Sequence, residues 1–69
     1  HPRDEAENVA LLTRAERAYE DFIGPQRDFI GRWLTEYKGA LEKQDPRLIA
    51  DAREGLIKVL DELEANPPI

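Results

Sequence analysis

The sequence has no cysteine, no serine and no methionine, and its one histidine is His1. Each gap removes a class of function. Without cysteine there is no disulfide framework, and the chain suits a reducing, cytoplasmic compartment. Without serine or cysteine the common nucleophiles are missing, and Thr13 and Thr35 have no histidine to activate them. His1 reads as an exposed terminal residue rather than a ligand. The four glycines are dispersed, so no glycine-rich loop can cradle a phosphate. No apolar run approaches the roughly 20 residues that span a bilayer. A di-metal site in a helical bundle needs inward-facing glutamates with a Glu-x-x-His partner. Here Glu16 and Glu20, and Asp61, Glu62 and Glu64, fall outside the apolar faces and form a solvated surface. We therefore expect no catalytic, cofactor-binding or metal-binding residue in this chain, and no enzyme activity.

What is present is charge and helix-forming sequence. The chain has 69 residues, so residues 1–69 form a single small domain. Charged residues make up 36% and hydrophobic residues 41%, enough apolar content for a core beneath a charged helical surface. The net charge of -5 opposes nucleic-acid binding, which needs Lys and Arg against phosphates, and opposes an anionic membrane surface. The opening "HPRDEAEN" has no initiating methionine, as expected of a piece of a longer chain.

Three amphipathic segments follow, with helices expected over about 4–23, 25–43 and 46–64. In the first, Leu11, Leu12, Ala15, Ala18, Tyr19, Phe22 and Ile23 share an arc of roughly 140°. Asp4, Glu5 and Glu7 crowd its start, where negative charge suits the helix dipole. Asn8 points into the apolar arc, so the stripe stops one turn before Leu11 while helix-forming residues continue. The first helix is thus expected to project beyond the core at its N-terminal end. In the second segment Phe29, Ile30, Trp33, Leu34, Tyr37, Ala40 and Leu41 fit a similar arc. Gly31 and Gly39 lie on its polar side, and Asp28, Arg32 and Glu36 form an i, i+4 chain of alternating sign. In the third, Asp45 is a natural N-cap and Pro46 suits the first helical position. Leu48, Ile49, Ala52, Leu56, Val59, Leu60 and Leu63 make its stripe, Glu54 and Lys58 form an i, i+4 pair, and "NPPI" forbids continuation.

Three stripes with short connections specify an all-α, three-helix, up-down-up bundle. The corner within "DFIGPQRDFIGRW" admits two forms. Gly24 is a natural end for the first helix, and Pro25 would cost about 3 kcal/mol inside a continuous one. Yet the Phe-Ile-Gly triplet recurs after seven residues, in phase for one kinked helix. That open form would leave a stripe uncovered and favour pairing of two copies by helix exchange. The expected core is Leu11, Leu12, Ala15, Tyr19, Phe22, Ile30, Trp33, Leu34, Tyr37, Leu41, Ile49, Ala52, Leu56, Val59, Leu60 and Leu63. The aromatic series Phe29, Trp33 and Tyr37 reads as core before it reads as a peptide-binding ridge. Ile57 is apolar on the polar side of the third helix. Arg3, Arg14 and Arg17 lie on the outer face of the first, with ion pairing inside the helix or contact with another domain as their alternatives.

The stretches "NVALLTRAERAYEDFIG" and "YKGALEKQDPRLIADAREGLIKVLDEL" resemble the C-terminal α-helical lid of DnaK-type heat-shock chaperones, nearest the HscC-like branch. The family pattern of an Ala-Leu pair, a polar turn with Asp and an Ile-Ala helix matches Ala40-Leu41, Gln44-Asp45 and Ile49-Ala50. The resemblance covers Asn8 to Leu63. It implies a gate: such lids close over unfolded peptide held in an upstream β-sandwich domain, while ATP and magnesium bind in an ATPase domain further upstream. The partners it implies are that β-sandwich and its bound peptide. The family's latch residues do not recur at matching positions, where Thr13 and Glu16 stand. Asn8, Thr13, Arg14 and Arg17 are the candidates for interdomain contact. A stand-alone helical interaction or dimerisation module is the alternative reading.

Overall fold

A computed structural model describes residues 1–66 of the chain. Among these residues the protein is all-helical, with a short 3-10 turn at Pro2–Asp4 followed by helices α1 (Ala6–Asp21), α2 (Gly24–Lys43) and α3 (Pro46–Glu64). The Pro67-Pro68 stop signal lies outside the described residues; α3 ends at Glu64, with the Ala65 N–H donating to the Asp61 carbonyl. Contacts set the helix directions. Asn8 meets Tyr37 and Tyr19 meets Gly31, so α2 runs against α1. Asn8 also meets Arg53, and Arg14 meets Asp61 and Glu64, so α3 runs alongside α1.

The core follows a narrow 3–4 spacing rather than the wide arcs. On α1 it takes Leu11, Ala15 and Ala18, and Phe22 just past the helix end. On α2 it takes Ile30, Leu34, Tyr37, Ala40 and Leu41, and on α3 Ile49, Ala52, Leu56, Val59 and Leu60. Each helix covers the other two along one stripe, so residues one position off that stripe reach the rim. Leu12, Trp33, Ile57 and Leu63 are partly buried against the core. Ile57 is therefore a rim residue of the core and not a solvent-face exception.

Tyr19 and Phe29, expected in the core, and Leu48, expected only on the apolar stripe of the third helix, are corrected. Tyr19 is 39% exposed, Phe29 43% and Leu48 41%. Tyr19 lies over Gly31, where an added Cβ would sit 3.0 Å from its Cε1. Gly31 therefore lets α1 and α2 approach under the tyrosine, instead of simply facing solvent. The Arg27 guanidinium covers the same ring at 4.6 Å and donates from Nε to the Tyr19 carbonyl at 2.8 Å. Arg32 stacks on Phe29 at 5.6 Å. Gly55 makes a second close approach, since a Cβ there would fall inside the van der Waals envelope of the Trp33 ring. Gly39 has nothing within 4 Å, as its polar-side placement predicts.

The first corner is a break. Phe22 and Ile23 are extended, and Gly24 takes φ +62° as the first residue of α2 rather than the last of α1. Pro25 follows in the first turn of α2, where its missing N–H leaves no hydrogen bond unmade. The extended backbone points Phe22 into the core and leaves Ile23 74% exposed, so Ile23 is not part of the helical stripe. At the second corner Gln44 is left-handed at φ 55°. The Asp45 carboxylate accepts from the Arg47 and Leu48 N–H groups at 2.9 and 3.4 Å, the N-cap that the sequence specifies.

The N-terminal end does not project. α1 begins at Ala6, and Glu5 is extended at φ -68°, ψ 135° with no side-chain cap. Residues 1–5 turn back against the bundle, with the Arg3 guanidinium 3.0 Å from Glu42 on α2. The expected projection fails because Asn8 continues the stripe: it is 1% exposed.

Candidate functional site

Two features stand out from a simple apolar bundle, a buried polar node and a surface groove. The node is built on Asn8, which occupies the first position of the series 8, 11, 15, 18, 22. Its carboxamide oxygen accepts from the Tyr37 hydroxyl at 2.7 Å and from the Arg53 guanidinium. Its amide nitrogen donates to the Pro2 carbonyl at 2.8 Å and to Glu5 Oε2 at 3.5 Å. Arg53 also pairs with Glu7 through Nη1 at 2.7 Å. One side chain thereby ties together α1, α2, α3 and the N-terminal turn. A buried polar group with satisfied bonds selects one register, because sliding any helix would orphan it. Asn8 is thus a structural residue inside the bundle and is not available for interdomain contact. The signal for it was present in the sequence: a polar residue at stripe spacing, and a tyrosine in the core stripe whose hydroxyl needs a partner.

The groove lies between α1 and the end of α3, lined by Ala10, Thr13, Arg14, Arg17, Ala18, Asp21, Phe22 and Glu64. Three of the four candidate contact residues, Thr13, Arg14 and Arg17, meet here. Small Ala10 and Ala18 leave the space, and buried Phe22 contributes to its lining. Thr13 is exposed, and its hydroxyl donates to the Val9 carbonyl four residues back at 2.9 Å. Arg17 is exposed. Arg14 bridges to α3, with Nη2 2.7 Å from Asp61 and 2.6 Å from Glu64, and Nε 3.2 Å from Glu64. The hydrogen bond that Arg14 donates to Glu64, then the one it donates to Asp61, raises the Arg14 pKa above its ordinary value, and partial burial opposes the shift. Its charge is therefore permanent and already answered within the bundle.

This bridge corrects one alternative for Arg14, since its partners lie on α3 and not within α1. The same holds for Arg3. Among the described residues neither Asp28, Arg32 and Glu36 nor Glu54 and Lys58 close to ion-pair distance; apart from the pair of the chain's first residue with Asp4, the pairs that form join different elements. Exposed i, i+4 pairs are worth only a few tenths of a kcal/mol, too little to hold long side chains in place.

Among the described residues no group of three His, Cys, Asp or Glu side chains converges on a metal-sized space, and no helix is long and apolar enough to cross a membrane. A comparison with protein-family models, curated proteins and solved structures finds no match to this chain.

Proposed function

We propose that the chain acts by covering another protein surface, as the helical lid of a DnaK-type chaperone. The observation that supports this reading is where the stronger resemblance falls. "YKGALEKQDPRLIADAREGLIKVLDEL" spans the α2–α3 hairpin, the best-anchored part of the bundle, with its cap at Asp45 and buried Tyr37, Leu41, Leu56 and Leu60. A lid must move as one body, because a gate that deforms cannot raise the barrier to peptide escape. The interlocked core and the Asn8 node supply that rigidity. The groove bearing Thr13, Arg14 and Arg17 is the face we assign to the upstream β-sandwich. The lever is not the start of α1, because the helix breaks at Glu5; the connection to an upstream domain runs instead through residues 1–5. ATP and magnesium belong to the upstream ATPase in this reading.

The test is peptide release from the longer parent chain, with and without the region from His1 onward. Removal is expected to speed dissociation of a fluorescent unfolded peptide while basal ATP hydrolysis survives. An unchanged off-rate sinks the lid reading.

The folding back of residues 1–5 favours a second reading, a self-standing helical interaction module. As a dimerisation module it would exchange α1 between two copies across the extended Phe22-Ile23 corner. Sedimentation that finds only monomer at high concentration removes the exchange.

A further inference from the structure

The start of α1 carries two conflicting instructions. The composition of "PRDEAEN" suits a helix that begins at Pro2: proline at the first helical position, then Asp4 and Glu5 at the positive end of the dipole. The structure instead breaks the helix at Glu5, and no side chain caps the break. A helix start without a capping side chain is weakly defined. Two side-chain contacts hold the break, one from the first turn of α1 and one to α2. Asn8 Nδ2 binds the Pro2 carbonyl at 2.8 Å, and Arg3 reaches Glu42 on α2 at 3.0 Å.

From this geometry we infer that residues 1–5 form a releasable strap, and that α1 has a second state in which it runs unbroken from Pro2. The two states compete for one acceptor. In the strapped state the Pro2 carbonyl accepts from Asn8 Nδ2 and from the Glu5 N–H at 3.1 Å. In an unbroken helix the same carbonyl accepts from the Ala6 N–H four residues on. Rotating ψ of Glu5 from extended to helical converts one state into the other. Release leaves the rest of the node whole, since Tyr37 and Arg53 bind the carboxamide oxygen of Asn8 and not its nitrogen. The nitrogen then turns to water. The released state adds a projecting turn to α1, and the strapped state folds that turn onto the α2–α3 corner beside Gln44 and Pro46. The switch is a property of residues 1–8 and does not depend on the lid reading. Its test uses the 69-residue chain alone, without peptide or nucleotide.

The test is NMR on three chains. Arg3 and Glu42 are both exposed, so R3A combined with E42Q loosens the strap without touching the core. In that variant the Cα shifts of residues 2–5 are expected to move toward helical values, and the Asn8 side-chain amide to exchange faster. The population ratio should change roughly two- to fivefold, the size an exposed ion pair can carry. Adding Ala6→Pro should reverse the change. Proline suits that first helical position and forces Glu5 to stay extended. Three results would overturn the proposal. Glu5 could remain extended in R3A/E42Q. Residues 2–5 could move to random-coil shifts, which is fraying and not a second helical state. Or the helical shifts could persist after Ala6→Pro.

Discussion

The two corners of the bundle solve the same problem by different means. Each is short, and each is followed by a proline in the first turn of the next helix. The Gln44-Asp45 corner is polar and locally encoded: a left-handed residue ends α2, and a carboxylate caps α3 through two backbone N–H groups. The Phe22-Ile23 corner has no side-chain cap and is held by what it buries, with Phe22 5% exposed and Ile23 74%. A capped corner would keep its shape in a fragment. A corner held by packing exists only while the neighbouring helices are docked. The difference places the weaker joint of the molecule between α1 and the α2–α3 hairpin.

Substitutions at the two corners measure that difference. The largest effect is expected from Phe22→Ala, a loss of about 3–5 kcal/mol, read as a fall in the urea midpoint. For a domain of this size that approaches the whole stability, so the variant should populate unfolded chain without denaturant. A loss below about 1 kcal/mol would show that packing does not hold this corner. Gly24→Ala comes next. At φ +62° a Cβ meets no neighbouring atom, so the expected loss of about 1–2 kcal/mol is backbone strain alone. Were Gly24→Ala neutral, the corner would be free to adopt another backbone, including the continuous helix.

At the other corner Asp45→Ala should cost about 1 kcal/mol, and Asp45→Asn should recover most of it, because an amide oxygen can also cap. Thermal melting can resolve this, since 1 kcal/mol moves the midpoint of so small a domain by about 4–8 °C. The smallest effect has the opposite sign. Gln44→Gly relieves a left-handed residue of its Cβ while adding flexibility to the unfolded chain, for a net gain of about 0.5 kcal/mol. A loss there would mean that the Gln44 side chain has a role no contact reveals.

Legibility differed by kind of signal. The helices α2 and α3 matched their expected spans closely, because proline, the Asp45 cap and the periodicity of leucines are local cues. Helix α1 came out shorter at both ends, at Ala6–Asp21 against about 4–23. Its start depends on Asn8 reaching Pro2, and its end on Phe22 turning into the core, and no local propensity encodes either. The wide apolar arcs overestimated the core at Tyr19, Phe29 and Leu48, since an arc on a wheel ignores where the other helices stop covering it. Asn8 is legible as an anomaly in the stripe, and the local pattern reads it as the point where the helix leaves the core. A lone polar residue in a stripe is either an exit from the core or the centre of a network, and the choice depends on partners 29 and 45 residues away. Of the candidate contact residues, Thr13, Arg14 and Arg17 share one groove, which exists only because the end of α3 packs beside α1.

By itself the sequence determined an all-α chain of three amphipathic helices and the Asp45 corner. These follow from local rules of capping, periodicity and composition. Only the tertiary structure decided that the first corner breaks at an extended Phe22-Ile23, that Gly31 and Gly55 receive Tyr19 and Trp33, and that the N-terminal turn folds back on Asn8. Each of those depends on a side chain meeting a partner on another element, and such pairings have no energy until the elements are packed.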